Sequence, residues 1–242
     1  MSESVLYGDI TVVRPDRENR LTVTPHAWVA VKDGRIACVS TMESEARLVL
    51  EGRQYTLYRG DSRILLPAFA NTHNHMAMTL LRNSADDLEL QRWLFDVIFP
   101  REERLNAGIV AAGSRLAMAE MIRSGTGASA DMYYFHEETV QAALEAGFRL
   151  NFSVDVKRPD PTGAPMPDSR ILEDQLRRYA RDPSGLLRVS MLVHSVYLYA
   201  EELYPQLADM AEALDCSVQV HIAETEKEVQ ECLARYGRSA AV

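Results

Sequence analysis

From Ile64 onward, short apolar runs alternate along the chain with longer stretches in which apolar residues recur every three or four positions. The short runs predict strands at residues 64–73, 127–134, 149–156, 188–194 and 217–222. The periodic stretches predict helices at residues 105–123, 137–146, 170–180, 200–214 and 226–236. Strands that are apolar on both faces and alternate with helices are typical of a parallel sheet covered by helices.

The residues before Ile64 follow a different pattern, rich in β-branched residues and turn signals. Strands are predicted at residues 9–13, 27–31 and 36–39. The sequence Lys-Asp-Gly-Arg at residues 32–35 is typical of a hairpin turn between the last two. We therefore predict that residues 1–64 form a small β-sheet segment and that residues 65–242 form a separate strand–helix domain.

The strand–helix alternation leaves two architectures open, a doubly wound sheet and a β/α barrel. A doubly wound sheet usually carries a glycine-rich phosphate loop after its first strand. In this chain the first strand of the alternation runs instead into His73-Asn74-His75. We therefore predict an α/β fold of the β/α (TIM) barrel type, to which the chain contributes five strand–helix units.

The composition indicates a folded, acidic protein. At 242 residues and 47% hydrophobic, the chain can bury a large core. A net charge of −9 and a pI near 5.2 argue against a nucleic-acid partner or an anionic membrane surface. With neither an 18-residue apolar stretch nor a signal-peptide pattern, we expect a cytoplasmic protein. The three widely spaced cysteines indicate neither a disulfide framework nor a thiolate zinc site.

Histidines concentrate where the predicted strands end, which in a β/α barrel is the face that carries the chemistry. His73 and His75 are two residues apart on a strand, so both imidazoles project to one side and can reach one metal ion. A chance His-x-His pair is the competing interpretation. His194 and His221 end two further strands. The two remaining histidines are interpreted as ordinary surface or loop residues: His26 and His136.

Several motifs together resemble those of the amidohydrolase superfamily, most closely its methylthioadenosine/S-adenosylhomocysteine deaminase group. The motifs are Pro-Ala-Phe-Ala-Asn-Thr-His-Asn-His at 67–75, Arg82 with Ala-Asp-Asp-Leu at 85–88, Gln-Arg-Trp-Leu at 91–94, and His-Ile-Ala-Glu-Thr at 221–225. The resemblance runs from about residue 5 to the C-terminus. It implies a metal-bearing β/α barrel with a β-sandwich built from both chain ends, to which residues 1–64 supply the N-terminal strands.

By this resemblance, His73, His75 and His221 are the ligands of one divalent ion. We expect zinc, although imidazole sites also accept iron, nickel or manganese. Glu224 corresponds to the acid/base that handles protons at the metal-bound water, while an acidic residue in the first turn of a helix is the competing explanation. The implied reaction is deamination of an adenine-type nucleoside or related amino-heterocycle, by hydroxide attack at the ring carbon bearing the amino group.

The resemblance also implies a set of substrate-binding residues. His194 matches a histidine that contacts substrate, with a histidine at the rim of the core as the alternative. Glu102 resembles a glutamate that recognises ribose, with a solvated helix face as the alternative. Trp93 resembles an aromatic residue that lines the pocket, and Arg170 loosely matches a substrate arginine. Val154 stands where a second arginine is expected, which weakens the nucleoside assignment.

Two other functions stay open at this point. One is hydrolysis of another carbon–nitrogen or carbon–chlorine bond, as on a triazine ring, and the other is a non-catalytic metal-binding fragment. Five strand–helix units cannot close an eight-stranded barrel, and an open sheet exposes an unpaired edge. We therefore expect this chain to be the N-terminal portion of the architecture, inactive alone, and to pair through that edge as a homo-oligomer.

Overall fold

The computed structural model describes residues 4–159, 165–179, 182–195 and 203–241. The chain forms two compact units, Met1–Ala68 and Phe69–Val242. Across the described ranges, none of the helices has both the length and the apolar character needed to cross a membrane.

The N-terminal unit is a largely antiparallel sheet with one short helix. Its elements are β1 (Ser4–Pro15), β2 (Leu21–Lys32), β3 (Arg35–Ser40), α1 (Glu43–Leu48), β4 (Tyr55–Arg59) and β5 (Ile64–Leu65). The strand order is β3-β2-β1-β4, and both β4 and β5 run parallel to β1. Side chains along most of β1 alternate between buried and half-buried, as expected for a strand with one face on a core.

The predicted hairpin between β2 and β3 is confirmed. Asp33 and Gly34 both have left-handed backbone angles, with φ of 52° and 72°, which suit the two-residue turn that matches strand twist. The strands β1 and β2 are longer than predicted because they stay paired as far as Pro15 and Leu21. The turn that joins them is closed by Asp16, whose carboxylate accepts two backbone N–H groups.

The second unit is built on a five-stranded parallel sheet. The strands of this unit are β6 (Phe69–Asn74), β7 (Thr126–Asp131), β8 (Arg149–Asp155), β9 (Lys157–Pro159), β10 (Pro165–Pro167), β11 (Leu187–Ser195) and β12 (Ser217–His221). The sheet order is β12-β11-β8-β7-β6, while β9 and β10 form a separate ribbon. A doubly wound sheet reverses direction at a switch point, whereas these five strands follow one another in chain order. The predicted β/α-barrel class is therefore confirmed, as a curled half-barrel.

Helices follow the strands of this sheet. They are α2 (Leu90–Arg92), α3 (Phe99–Glu102), α4 (Ala107–Arg123), α5 (His136–Ala146), α6 (Ser169–Tyr179), α7 (Leu203–Ala213) and α8 (Glu226–Tyr236). The last five agree with the predicted helices to within a few residues, although predicted positions 180 and 200–202 lie outside the described residues. The sequence did not predict the 3₁₀ segment Met76–Leu81, or the π-helical turn Trp93–Ile98 that joins α2 to α3, because their apolar residues lack a sustained 3.6-residue period.

The core of the second unit lies between the sheet and these helices. One cluster joins β8 to α4 and α5 through Phe152, Met118 and Val140. Another packs α6 on β11 through Leu172 and Met191. The histidines of the sheet lie at or near the ends of the strands, beyond these clusters.

The segment after β6 packs against α4 at a glycine. A Cβ atom added to Gly113 would lie 2.7 Å from the carbonyl oxygen and 2.9 Å from the Cα atom of Ala77. Both are backbone atoms, so no side-chain rotation relieves the overlap. Gly113 therefore sets how closely α4 approaches the chain just beyond His75.

Gly113→Ala is expected to lower the free energy of unfolding by about 1–3 kcal/mol, because the methyl group forces two backbone segments apart. Urea denaturation followed by circular dichroism measures the change. Gly108→Ala at the start of the same helix is the control, since its added Cβ would meet only the Asn106 side chain, at 3.3 Å. Equal stability of the two variants would contradict the close-packing argument.

A buried carboxylate ties β6 to β7. Asp131, the last residue of β7, is 3% exposed and accepts the backbone N–H of Met76 at 2.6 Å. The N–H of Met132 donates to the carbonyl of Asn74 at 2.9 Å. These two bonds hold the chain on both sides of His75. Burial raises the pKa of Asp131 to about 7, although the hydrogen bond from Met76 opposes the shift.

The titration of Asp131 predicts a pH-dependent stability difference. The folded state binds this proton more tightly than the unfolded state, so the carboxyl group costs stability as the pH rises from 3.8 to about 7. Asp131→Asn still accepts from Met76 but cannot ionise. Its free energy of unfolding relative to wild type should rise over this range, by at most about 1.4 kcal/mol per pH unit.

Urea titrations of the metal-free proteins at several pH values measure this difference. The histidines titrate in both proteins, so their contribution cancels. A difference that stays constant from pH 4 to pH 7 would contradict the assignment.

Candidate metal centre and cavity

Three histidines meet at one end of the parallel sheet. His73 lies in β6, His75 follows that strand directly, and His221 is the last residue of β12. One imidazole nitrogen from each lies within 4.8 Å of the others. The Nε2 atoms of His75 and His221 are 3.0 Å apart. His221, from a strand distant in sequence, thus joins the two histidines of the His-x-His motif.

Backbone carbonyls orient two of these rings. The Nδ1 atom of His75 lies 2.6 Å from the carbonyl oxygen of Met132, and the Nδ1 atom of His221 lies 2.7 Å from that of His194. A carbonyl oxygen only accepts, so each Nδ1 carries a proton, and in the neutral form of each ring the lone pair lies on Nε2. Two lone pairs that face each other at 3.0 Å repel unless they share a cation.

Burial lowers the pKa of three histidines at this end of the sheet: His73, His75 and His194. It lowers the pKa of His75 to about 4, and the nearby histidines add to the shift. Burial also lowers the pKa of His73, while the negative charge of Glu224 opposes the change. The pKa of His194 falls to about 4, chiefly because the ring is removed from water. Neutral imidazole is the form that binds a metal ion, so the site needs little deprotonation near neutral pH.

A cavity of about 540 Å³ opens beside the three histidines. Four of the five remaining predicted site residues line it: Trp93, Glu102, His194 and Glu224. Most of the other lining side chains are apolar and come from the π-helical turn and the ends of β7 and β8. A largely apolar cavity with a few polar groups is typical of a small-molecule site.

Glu102 lies at the end of α3 and forms a hydrogen bond across the cavity wall. The hydroxyl of Tyr133 donates to its Oε1 atom at 2.7 Å. Burial raises the pKa of Glu102, and the bond from Tyr133 opposes that shift. Sequence reasoning did not assign a role to Tyr133. Its position two residues after the end of β7 was the available signal.

Glu224 follows β12 in the turn that leads to α8. Its side chain lines the cavity, and its charge is close enough to His73 to affect the pKa of that ring. The residue before it, Ala223, has a left-handed backbone with φ of 54°. An acidic group thus faces the cavity at the same end as the histidine cluster.

Arg170 is not brought to this cavity. It is exposed, and its guanidinium forms a double hydrogen bond with Asp168 at 2.8 and 2.9 Å. His136, interpreted from sequence as an ordinary histidine, instead lines the cavity and stacks on Phe152 with a 5.4 Å separation of ring centroids. Val154 also lines the cavity, within the core cluster of β8.

Comparison with known proteins gives consistent matches. Residues 64–241 match the amidohydrolase family. The chain is 38% identical over 212 residues to a 5'-deoxyadenosine deaminase of Methanothermobacter thermautotrophicus, covering 86% of this chain and 48% of that protein. It is 33% identical over 222 residues to a 5-methylthioadenosine/S-adenosylhomocysteine deaminase of Acetivibrio thermocellus, covering 89% of this chain and 49% of that protein. The chain therefore spans about half the length of these curated relatives.

A solved structure extends the comparison to three dimensions. An adenosine deaminase from Xanthomonas campestris, solved with bound zinc, superimposes with a TM-score of 0.79 at 28% identity. The match covers 97% of this chain and 53% of that chain. The family match over most of the sequence and the likeness of the fold lead to one conclusion: this chain belongs to the amidohydrolase family.

Proposed function

We propose that the protein is a metal-dependent hydrolytic deaminase of adenine-type nucleosides. The observation that carries the proposal is the 3.0 Å approach of two Nε2 lone pairs, from His75 and His221, at the floor of a cavity of about 540 Å³. The names of the relatives, which are deaminases of adenosine-type nucleosides, support the substrate class.

The residues at this site suit one divalent ion held by His73, His75 and His221. Three neutral imidazoles form a ligand set that zinc accepts in catalytic sites, and the carbonyl partners of two of the rings orient their nitrogens. The zinc bound to the adenosine deaminase from Xanthomonas campestris supports zinc as the ion. A divalent ion in such a site supplies Lewis acidity and lowers the pKa of a coordinated water molecule toward 7.

In this proposal Glu224 is the proton carrier. It accepts a proton from the attacking water and returns a proton to the amino nitrogen that leaves the ring. The ring carbon gains oxygen, its bond to nitrogen breaks, and ammonia is released. The exposed position of Glu224 at the cavity wall, close to His73, supports this role because a proton carrier must reach both water and substrate.

The remaining polar groups bind parts of the substrate that do not react. Glu102 accepts hydrogen bonds from ribose hydroxyls, and the Tyr133 hydroxyl holds its carboxylate in place at 2.7 Å. His194 contacts the heterocycle from the metal side, since its ring lies 4.8 Å from that of His221. Trp93 provides a flat apolar surface for packing against the substrate.

Because this chain is expected to be inactive alone, the first test uses a protein of the relatives' full length that contains these 242 residues, called wild type below. It measures ammonia release from adenosine and 5'-deoxyadenosine, together with metal content by atomic absorption. Wild type should release ammonia and contain one equivalent of metal. Glu224→Gln should keep the metal and the fold while lowering kcat by at least about 10²-fold, because it cannot carry the proton. Full turnover by Glu224→Gln, or wild type that releases no ammonia from either nucleoside, would contradict the proposal.

The second test separates ribose recognition from chemistry. Glu102→Ala should raise KM for adenosine about 10-fold or more while leaving KM for free adenine unchanged, because a charge-assisted hydrogen bond to a hydroxyl is lost. Tyr133→Phe should produce a smaller change in the same direction. Glu103→Ala is the matched control, since Glu103 is exposed and does not line the cavity. Equal effects on the base and the nucleoside would rule out this placement.

A further inference from the structure

A second glutamate lies behind the turn that carries Glu224. Glu228 is on the first turn of α8 and is only 6% exposed. Its Oε1 atom accepts the backbone N–H of Ala223 at 2.6 Å, and its Oε2 atom accepts the N–H of Glu224 at 3.2 Å. One buried carboxylate therefore accepts hydrogen bonds from two successive backbone amides in the turn that follows β12.

The turn depends on these hydrogen bonds because one of its residues has an unfavourable backbone conformation. Ala223 has φ of 54°, in the left-handed region that an alanine adopts only at a cost. A residue held in that region persists when its surroundings fix it there, and such strain gathers at functional sites. The bonds from Glu228 supply that fixation, and the turn they fix is the one that directs Glu224 to the cavity.

The helix cap does not explain where this carboxylate points. Thr225 caps α8, and its Oγ1 atom accepts the N–H of Glu228 at 3.1 Å. In a capping box, the glutamate at this position reaches back to the N–H of the capping residue itself. Glu228 reaches further, past Thr225, to the two residues before it. Its carboxylate thus stabilises the turn between β12 and α8.

We propose that Glu228 is the positioning residue for Glu224, holding the acid/base at the distance that proton transfer requires. This inference rests on the function proposed above for Glu224. Small errors in the placement of a reacting group are costly, and a displacement of about 1 Å can lower a rate about 10²-fold. Loss of these hydrogen bonds is therefore expected to lower kcat. The metal ligands and the groups that bind ribose keep their positions.

Two variants of Glu228 test the idea. Glu228→Gln keeps the size of the side chain but offers one oxygen, so one amide loses its acceptor. Glu228→Asp keeps the charge but is one methylene shorter, so it cannot span both amides. Each should lower kcat about 10-fold or more with little change in KM for adenosine or in metal content. Comparable loss in both variants separates positioning from the effect of charge alone.

Thr225→Ala is the matched control. It removes the cap of α8, so it lowers the melting temperature, but it leaves both bonds from the Glu228 carboxylate to the turn. Its kcat should equal that of wild type. If Thr225→Ala loses as much kcat as the Glu228 variants, the effect is one of helix stability and the inference is overturned. Unchanged kcat in the Glu228 variants overturns it as well.

Hydrogen exchange tests independently of the reaction whether the Glu228 carboxylate binds the two amides of the turn. The amides of Ala223 and Glu224 should exchange slowly in wild type and in Thr225→Ala, and at least about 10-fold faster in Glu228→Gln. Exchange that does not change in Glu228→Gln overturns the inference whatever the kinetics show. Absence of deaminase turnover in wild type instead refutes the proposed function, and the exchange rates still decide whether Glu228 holds the turn.

Discussion

The candidate site depends on the curl of the parallel sheet. The strands β6 and β12 are at opposite edges of five strands, which in a flat sheet would lie about 19 Å apart at the usual spacing between neighbours. The Nε2 atoms at the ends of these two strands are 3.0 Å apart. The sheet therefore curls, so that side chains from its two edge strands point toward each other at that end. The histidine cluster depends on this curl, and the cavity opens beside the cluster.

Desolvation by the same cavity wall acts differently on bases and acids. It lowers the pKa of His75 to about 4, which favours the neutral imidazole that binds metal. It raises the pKa of Glu102, which disfavours the carboxylate, and the hydrogen bond from Tyr133 counteracts that effect. Two acidic groups whose pKa burial raises accept hydrogen bonds that oppose the shift: Glu102 from the Tyr133 hydroxyl, and Asp131 from the N–H of Met76.

The strands and helices of the second unit could be predicted because short apolar runs alternate five times with segments in which apolar residues recur every three or four positions. It also predicted which histidines lie at strand ends, since a β/α fold gathers those ends at one face. It could not predict contacts that depend on non-periodic segments. The bond between Tyr133 and Glu102 requires the position of the helix around Trp93, which apolar spacing did not reveal. Arg170 likewise forms an ion pair with Asp168, only two residues away, and a loose motif match does not predict such a local contact.

The π-helical turn Trp93–Ile98 determines which way the following helix faces. A π-helical turn contains about one residue more than the corresponding α-helical turn, and each α-helical residue rotates the following side chains by about 100°. Removing one residue here would turn the part of the helix that contains Glu102 away from the cavity while Trp93 stayed in place. Residues 93–98 lie outside the parallel sheet, so such a deletion would leave the sheet and its histidines unchanged. The extra residue of this turn therefore fixes the direction of Glu102 independently of the sheet that carries the histidines.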